Sequence, residues 1–264
     1  MTKLMKDAVA EPPHLADDLK ALCLPTIRAQ WPRLTEEATR RRQLHAEYLA
    51  ELVHLEVIHR REARIARRMQ EARFPVLKSL ESFDFSAQPA LPKDEILELA
   101  RAHFLAEKRN VILIGGVGTG KTHLAIALAL ACCQQEKRVR FVTAADLTNL
   151  LHEAKVQGRL SRKLEQLARF DLVVLDELGY VPFDATGAEL LFNFIAKVYE
   201  QRSLIVTTNL PFARWSEVFR DPTAAAAVID RIVHHATILK TDGESYRLRD
   251  AKQSARARRK DAST

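Results

Sequence analysis

"VILIGGVGTGKTHLAIALALACC", Val111 to Cys133, passes from a four-residue apolar run through a knot of glycines into a long apolar stretch. Gly115, Gly116, Gly118 and Gly120 fall within six consecutive positions. Glycine loses much conformational freedom on folding, so such a cluster marks main chain that must curl or approach something closely. Residues 115–122 fit G-x-x-x-x-G-K-[ST] in full, directly after an expected strand and opening an expected helix. In that context the successive backbone N–H groups and the helix amino terminus surround a β-phosphate, which only small residues allow. Gly115, Gly116, Val117, Gly118, Thr119, Gly120, Lys121, Thr122 and His123 are therefore the candidate nucleotide-binding residues. Lys121 is expected to place a point charge on the β- and γ-phosphates of ATP, and the Thr122 hydroxyl to ligate Mg²⁺.

Such a loop works with a carboxylate at the end of a neighbouring buried strand. "DLVVLDELG", residues 171–179, offers it, with Asp176 after four apolar residues and Glu177 next. Asp176 is expected to hold Mg²⁺ directly or through water, and Glu177 to polarise the attacking water as general base. A second acid at this point favours an ATPase over transfer to a small acceptor, and the chain shows no evident acceptor-binding lid. In "SLIVTTNLP", residues 203–211, a buried strand ends at Thr207, Thr208 and Asn209. Asn209 either hydrogen-bonds the γ-phosphate or the attacking water, or merely turns the chain before Pro211. The order of phosphate loop, paired acids and asparagine-ended strand favours the first.

Around these elements strands and helices alternate. The pattern predicts a helix over 93–108, strands over 111–114, 139–143, 172–175, 203–208 and 237–240, and helices over 144–156, 160–168, 187–200 and 222–235. Short continuous apolar strands between helices predict an α/β fold, a parallel sheet covered on both faces. Residues 15–80 contain no glycine and read as helical, either one long helix or a hairpin, with Leu44, Tyr48, Leu52, Leu55 and Ile58 at near-helical spacing. "SLESFDFSAQPALPKDEI" reads as the linker into the second domain. The expected domains are 1–80, helical; 81–250, nucleotide-binding; and 251–264, a basic, disordered tail.

Arg40, Arg41, Arg42, Arg60, Arg61, Arg64, Arg67 and Arg68 crowd the helical region. They are either a solvated face partly neutralised by Glu47, Glu51, Glu56 and Glu62, or a surface for the DNA backbone or a partner. A net charge of +7 is compatible with a polyanionic partner. The longest apolar run, Leu124 to Cys133, is about half of a membrane span, and the first residues lack the apolar core of a signal peptide. The chain is accordingly expected in the cytoplasm. Cys23, Cys132 and Cys133 match no disulfide framework or metal spacing and read as small buried apolar residues on helices.

"LKALCLPTIRAQW", "SFDF", "LIGGVGTGKTHLA", "VRFVTAADLTNLL", "LVVLDELGY", "LIVTTNLPFARWSEVF", "VIDRIVHHATILK" and "GESYRLR" together span nearly the whole chain. In these segments it resembles the AAA+ ATPases, and more narrowly the IstB-type transposition helpers related to helicase loaders of the DnaC and DnaI kind. The resemblance implies a P-loop AAA+ core without the usual large helical lid, a small helical amino-terminal domain, and ATP-dependent homo-oligomers on double-stranded DNA. It also implies a partner transposase served by engaging and deforming target DNA, with loading of a replicative helicase as the alternative. In this family an arginine from the neighbouring subunit completes the ATP site. Arg231 in "VIDRIVHH" is the leading candidate and Arg220 the second, the other reading of Arg231 being an intrachain ion pair with Asp230 or another acid. Arg247 and Arg249 are weaker candidates for phosphate or DNA.

Overall fold

The structure, a computed structural model, describes residues 12–180, 182–219, 221–242 and 245–246. Contacts divide the chain into two compact units, 1–66 and 67–264.

The first unit contains α1 (Leu15–Ala21), α2 (Pro25–Arg41) and most of α3 (His45–Ala72). Leu19, Trp31, Leu34 and Leu52 form its small core, with Tyr48 and Leu55 packed against it. Leu44 and Ile58, expected on the same face, are instead 67% and 39% exposed. The core is short along the helix axis, so only the middle of the stripe is covered. The start of α2 has no cap of its own, because Leu24 offers no acceptor. Glu56 of α3 supplies it, accepting from the N–H groups of Thr26 at 2.8 Å and Ile27 at 3.0 Å while Arg60 pairs with it at 2.9 Å. Other arginines find partners different from those expected: Arg40, Arg41 and Arg68 pair with Glu36, Glu37 and Glu71. Cys23 is also a correction. It is exposed, at a left-handed φ of 55° between α1 and α2, whereas Cys132 and Cys133 are buried.

The second unit begins within α3 and continues through α4 (Lys93–Ala100), β1 (Asn110–Gly115), α5 (Lys121–Gln134), β2 (Val139–Thr143), α6 (Ala144–Val156) and α7 (Leu160–Leu167). Then come β3 (Leu172–Leu178), α8 (Ala185–Val198), β4 (Ser203–Thr208), α9 (Trp215–Phe219), α10 (Pro222–Val233) and β5 (Ala236–Thr241). The strands form one five-stranded sheet in the order β2-β3-β4-β1-β5. Every pairing is parallel. Alternate residues of each strand feed opposite cores, as the period of two demands. Ile112, Val173, Leu175, Leu204 and Val206 meet α6, α8 and α10 on one side. Val111, Leu113, Leu172, Val174 and Ile205 meet α4 and α5 on the other. Helix α5 buries nearly its whole circumference from Leu124 to Cys133, which is why its sequence is apolar all round.

Three differences from the sequence expectation have physical reasons. The helix expected over 93–108 stops at Ala100; Ala102 turns left-handed at φ 58°, and a 3₁₀ turn then buries Phe104 and Leu105 to 1% and 5% exposure. Burial there wins over continuing the helix. Strand β3 runs past Leu175 to Leu178 because Leu178 pairs with Thr208 beyond an irregularity in the ladder. Helix α9 was not expected at all: it is too short for a periodic signal, yet it carries the fully buried Trp215 and Phe219.

Candidate functional site

The carboxyl ends of β1, β3 and β4 lie side by side, and order reversal in the sheet leaves a crevice there, the position at which open parallel sheets bind ligands. The glycine loop leaves β1 at this edge. A Cβ at Gly115 would lie 2.0 Å from the Thr241 carbonyl oxygen on β5, so only glycine lets β1 continue into the loop. Gly120, at φ 93°, caps α5 in a conformation that L side chains rarely adopt. The turn is braced from within, Thr119 donating to the Gly116 carbonyl at 2.9 Å and sharing a hydrogen bond with Thr241 at 2.7 Å. Lys121 Nζ reaches back to the carbonyls of Gly115 at 2.8 Å and Gly116 at 2.6 Å. The ammonium group is thus held over the loop by the loop's own oxygens.

Asp176 lies inside β3, opposite Thr143, and is 3% exposed. Its Oδ1 accepts from Thr122 Oγ1 at 3.0 Å and from Thr207 Oγ1 at 2.5 Å. These two hydroxyls answer a carboxylate that burial would otherwise penalise. Thr207 Oγ1 in turn accepts from the N–H of Glu177 at 2.9 Å. Glu177 has φ 60°, rare for a residue with a Cβ, and it alone of β3 is exposed. Strain of this kind persists where the surroundings over-determine it and gathers at functional sites. Val117, Lys121, Thr122, Glu177, Thr207 and Asn209 line one small cleft. A donor set of a threonine hydroxyl and a carboxylate 3.0 Å apart has the hard oxygen chemistry that Mg²⁺ takes.

The structure therefore brings Lys121, Thr122, Asp176, Glu177 and Asn209 together. His123 stands on the far side of the loop in a larger cavity of about 340 Å³. Its Nε2 lies 3.1 Å from the Ser79 carbonyl and 3.2 Å from Ser82 Oγ, and its ring meets Phe83 edge-on. Burial pushes the imidazole pKa down, against the Ser79 hydrogen bond and with help from Lys78, so the ring is neutral near pH 7. Arg231 is not brought to the cleft. It lies 4.9 Å over the Phe192 ring and donates to the Ala227 carbonyl at 3.0 Å, a cation–π contact rather than the ion pair of the alternative reading. Arg220, Arg247, Arg249 and the tail lie outside the described residues. Sequence reasoning missed Thr207 as a site residue, since its link to Asp176 depends on the register of β3 against β4.

A family model described as IstB-like ATP binding protein matches residues 17–254, nearly the whole chain. The chain belongs to that family. A putative insertion sequence ATP-binding protein of Sinorhizobium fredii is 40% identical over 241 residues, covering 91% of this chain and 81% of the relative. The insertion sequence IS21 putative ATP-binding protein of Pseudomonas aeruginosa is 39% identical, covering 84% of this chain and 83% of its own length. Among solved structures, DnaA of Aquifex aeolicus superposes with TM-score 0.53 at 17% identity, over 68% of this chain and 54% of that one. A DnaC helicase loader superposes with TM-score 0.50 at 23% identity, over 56% and 86%. The fold of this IstB-like protein is thus the P-loop AAA+ core, with a helical amino-terminal region before it. Among the described residues no helix is long and apolar enough to cross a membrane.

Proposed function

We propose that this IstB-like protein is an ATPase that assembles on double-stranded DNA and assists a partner transposase in moving an insertion sequence. The observation that carries the reading is the chain of contacts from Thr122 through Asp176 and Thr207 to Glu177, which ties the phosphate loop to the acids of β3. Backbone N–H groups of residues 115–122 hold the phosphates, and Lys121 exchanges its loop carbonyls for β- and γ-phosphate oxygens. Thr122 and Asp176 would hold Mg²⁺, which would supply neutralisation of charge on the phosphate oxygens. Glu177, exposed beside the cleft, takes a proton from the attacking water, and Asn209 orients that water or the γ-phosphate.

Arg231 acts in trans in this reading. Among the described residues it lines neither of the two cavities described above, and α10 is the element on which the resemblance puts the neighbour's arginine. The relatives that cover most of this chain are insertion sequence proteins, which supports the transposase as partner. The likeness to the helicase loader is one of fold, so it lends the loading alternative no weight. Lys121→Ala tests the reading at its base. It should abolish ATP binding and, with it, ATP-dependent association with duplex DNA; equal nucleotide affinity in variant and wild type would overturn the assignment.

A further inference from the structure

At the amino ends of the strands, opposite the phosphate loop, two histidines and a glutamate converge. Glu200 follows α8, and His234 and His235 join α10 to β5. One carboxylate oxygen of Glu200 and one nitrogen of each imidazole all lie within 4.8 Å of one another. The three residues are exposed, so an ion reaches them without opening the core.

The backbone that carries them is held in place. The Asn110 side-chain amide donates to the Ile232 carbonyl at 2.9 Å, and the Asn110 backbone N–H to the His235 carbonyl at 2.7 Å, so β1 grips the chain on either side of His234. Glu200 stands at φ 55°, uncommon for a residue with a Cβ. The turn around it is closed by the Val198 carbonyl, which accepts from the N–H groups of Gln201 at 3.0 Å and Arg202 at 2.9 Å. The Tyr199 hydroxyl lies 3.0 Å from His234 Nδ1 and hydrogen-bonds the Glu200 carboxylate. Partners of this kind orient side chains around a metal ion.

The donor chemistry selects the ion. Mg²⁺ and Ca²⁺ take oxygen ligands, whereas two imidazoles and a carboxylate suit a borderline divalent cation such as Zn²⁺. Tetrahedral Zn²⁺ with bonds of about 2.0–2.2 Å sets neighbouring ligand atoms about 3.3 Å apart. His234 Nδ1 and Glu200 Oε1 are already 4.0 Å apart, and rotation of exposed side chains closes the rest.

We infer that Glu200, His234 and His235 form a Zn²⁺ site, with water in the fourth position, separate from the Mg²⁺ ligands at the phosphate loop. The ion bound there ties the end of α8 to the junction of α10 and β5, just beyond Arg231.

Calorimetric titration with ZnCl₂ tests this on the full, untagged chain, stripped of metal by a chelator and kept in excess Mg²⁺ without nucleotide. Wild type should bind Zn²⁺ saturably, and the ion should raise the unfolding midpoint. His234→Asn and Glu200→Gln should each weaken that binding roughly tenfold or more with helical circular dichroism unchanged, since losing a ligand costs at least what losing an outer partner does. In wild type, Zn²⁺ should also protect His234 and His235 from carbethoxylation, read by peptide mass spectrometry, a measurement that needs no variant. Wild-type affinity in both variants would place the ion elsewhere and overturn the site. Failure of Zn²⁺ to bind in excess Mg²⁺, or to protect either histidine, would overturn it as well.

Discussion

Thr207 shows how one side chain couples the two acids. Its hydroxyl donates to buried Asp176 and accepts from the N–H of Glu177, so it neutralises one carboxylate's burial and steadies the strained backbone of the other. Thr207→Val keeps the shape and removes both bonds. We expect a loss of about 1–3 kcal/mol in stability by urea unfolding, the cost of leaving buried polar groups unmet. ATP affinity should change little while turnover falls at least tenfold, because Glu177 loses its anchor. Unchanged turnover would separate Thr207 from the chemistry. The phosphate loop was legible at this scale because its eight residues are contiguous. Thr207 was not, since its link to Asp176 depends on the register of β3 against β4.

At the scale of elements, the start of α2 depends on a carboxylate borrowed from α3. Burial acts to raise the pKa of Glu56, but the Ile27 N–H, Arg60 and the Thr26 N–H outweigh it and the net shift is downward. A depressed folded-state pKa means that the carboxylate contributes stability above its ordinary value near 4.5, lost as pH falls through the lower folded value. Glu56→Gln should therefore lower stability near pH 7 by about 1.5–3 kcal/mol, the usual worth of hydrogen bonds to a charged group. Followed by the helical circular dichroism of the full chain, the gap between variant and wild type should narrow below pH 4.5. A gap independent of pH would contradict the ionised cap. Elements β2, α6 and β4 run over the same residues that the local pattern predicts, 139–143, 144–156 and 203–208. Where tertiary demands cut across the local pattern, local reading failed in both directions: it overran the helix that ends at Ala100 and stopped short of the extension of β3 past Leu175.

For the whole molecule, the account joins nucleotide chemistry to DNA. If Arg61, Arg64 and Arg67 meet phosphates, changing all three to glutamine should reduce the slope of log affinity against log salt by about 0.9 for each phosphate no longer neutralised. Arg60 is kept in that test because it pairs with buried Glu56. An unchanged slope would remove this stretch from the DNA surface. Across subunits, Arg231→Ala mixed with Lys121→Ala should recover part of the ATPase activity that each lacks, since hybrid interfaces would contain one intact site; no recovery would leave Arg231 with the intrachain role seen over Phe192. The most direct test of the central claim is ATP turnover by Glu177→Gln measured alongside its nucleotide affinity and residence on duplex DNA. The account predicts ATP binding close to wild type, hydrolysis reduced at least a hundredfold as expected for loss of a general base, and a protein held on DNA by unspent ATP. Hydrolysis at the wild-type rate would contradict it.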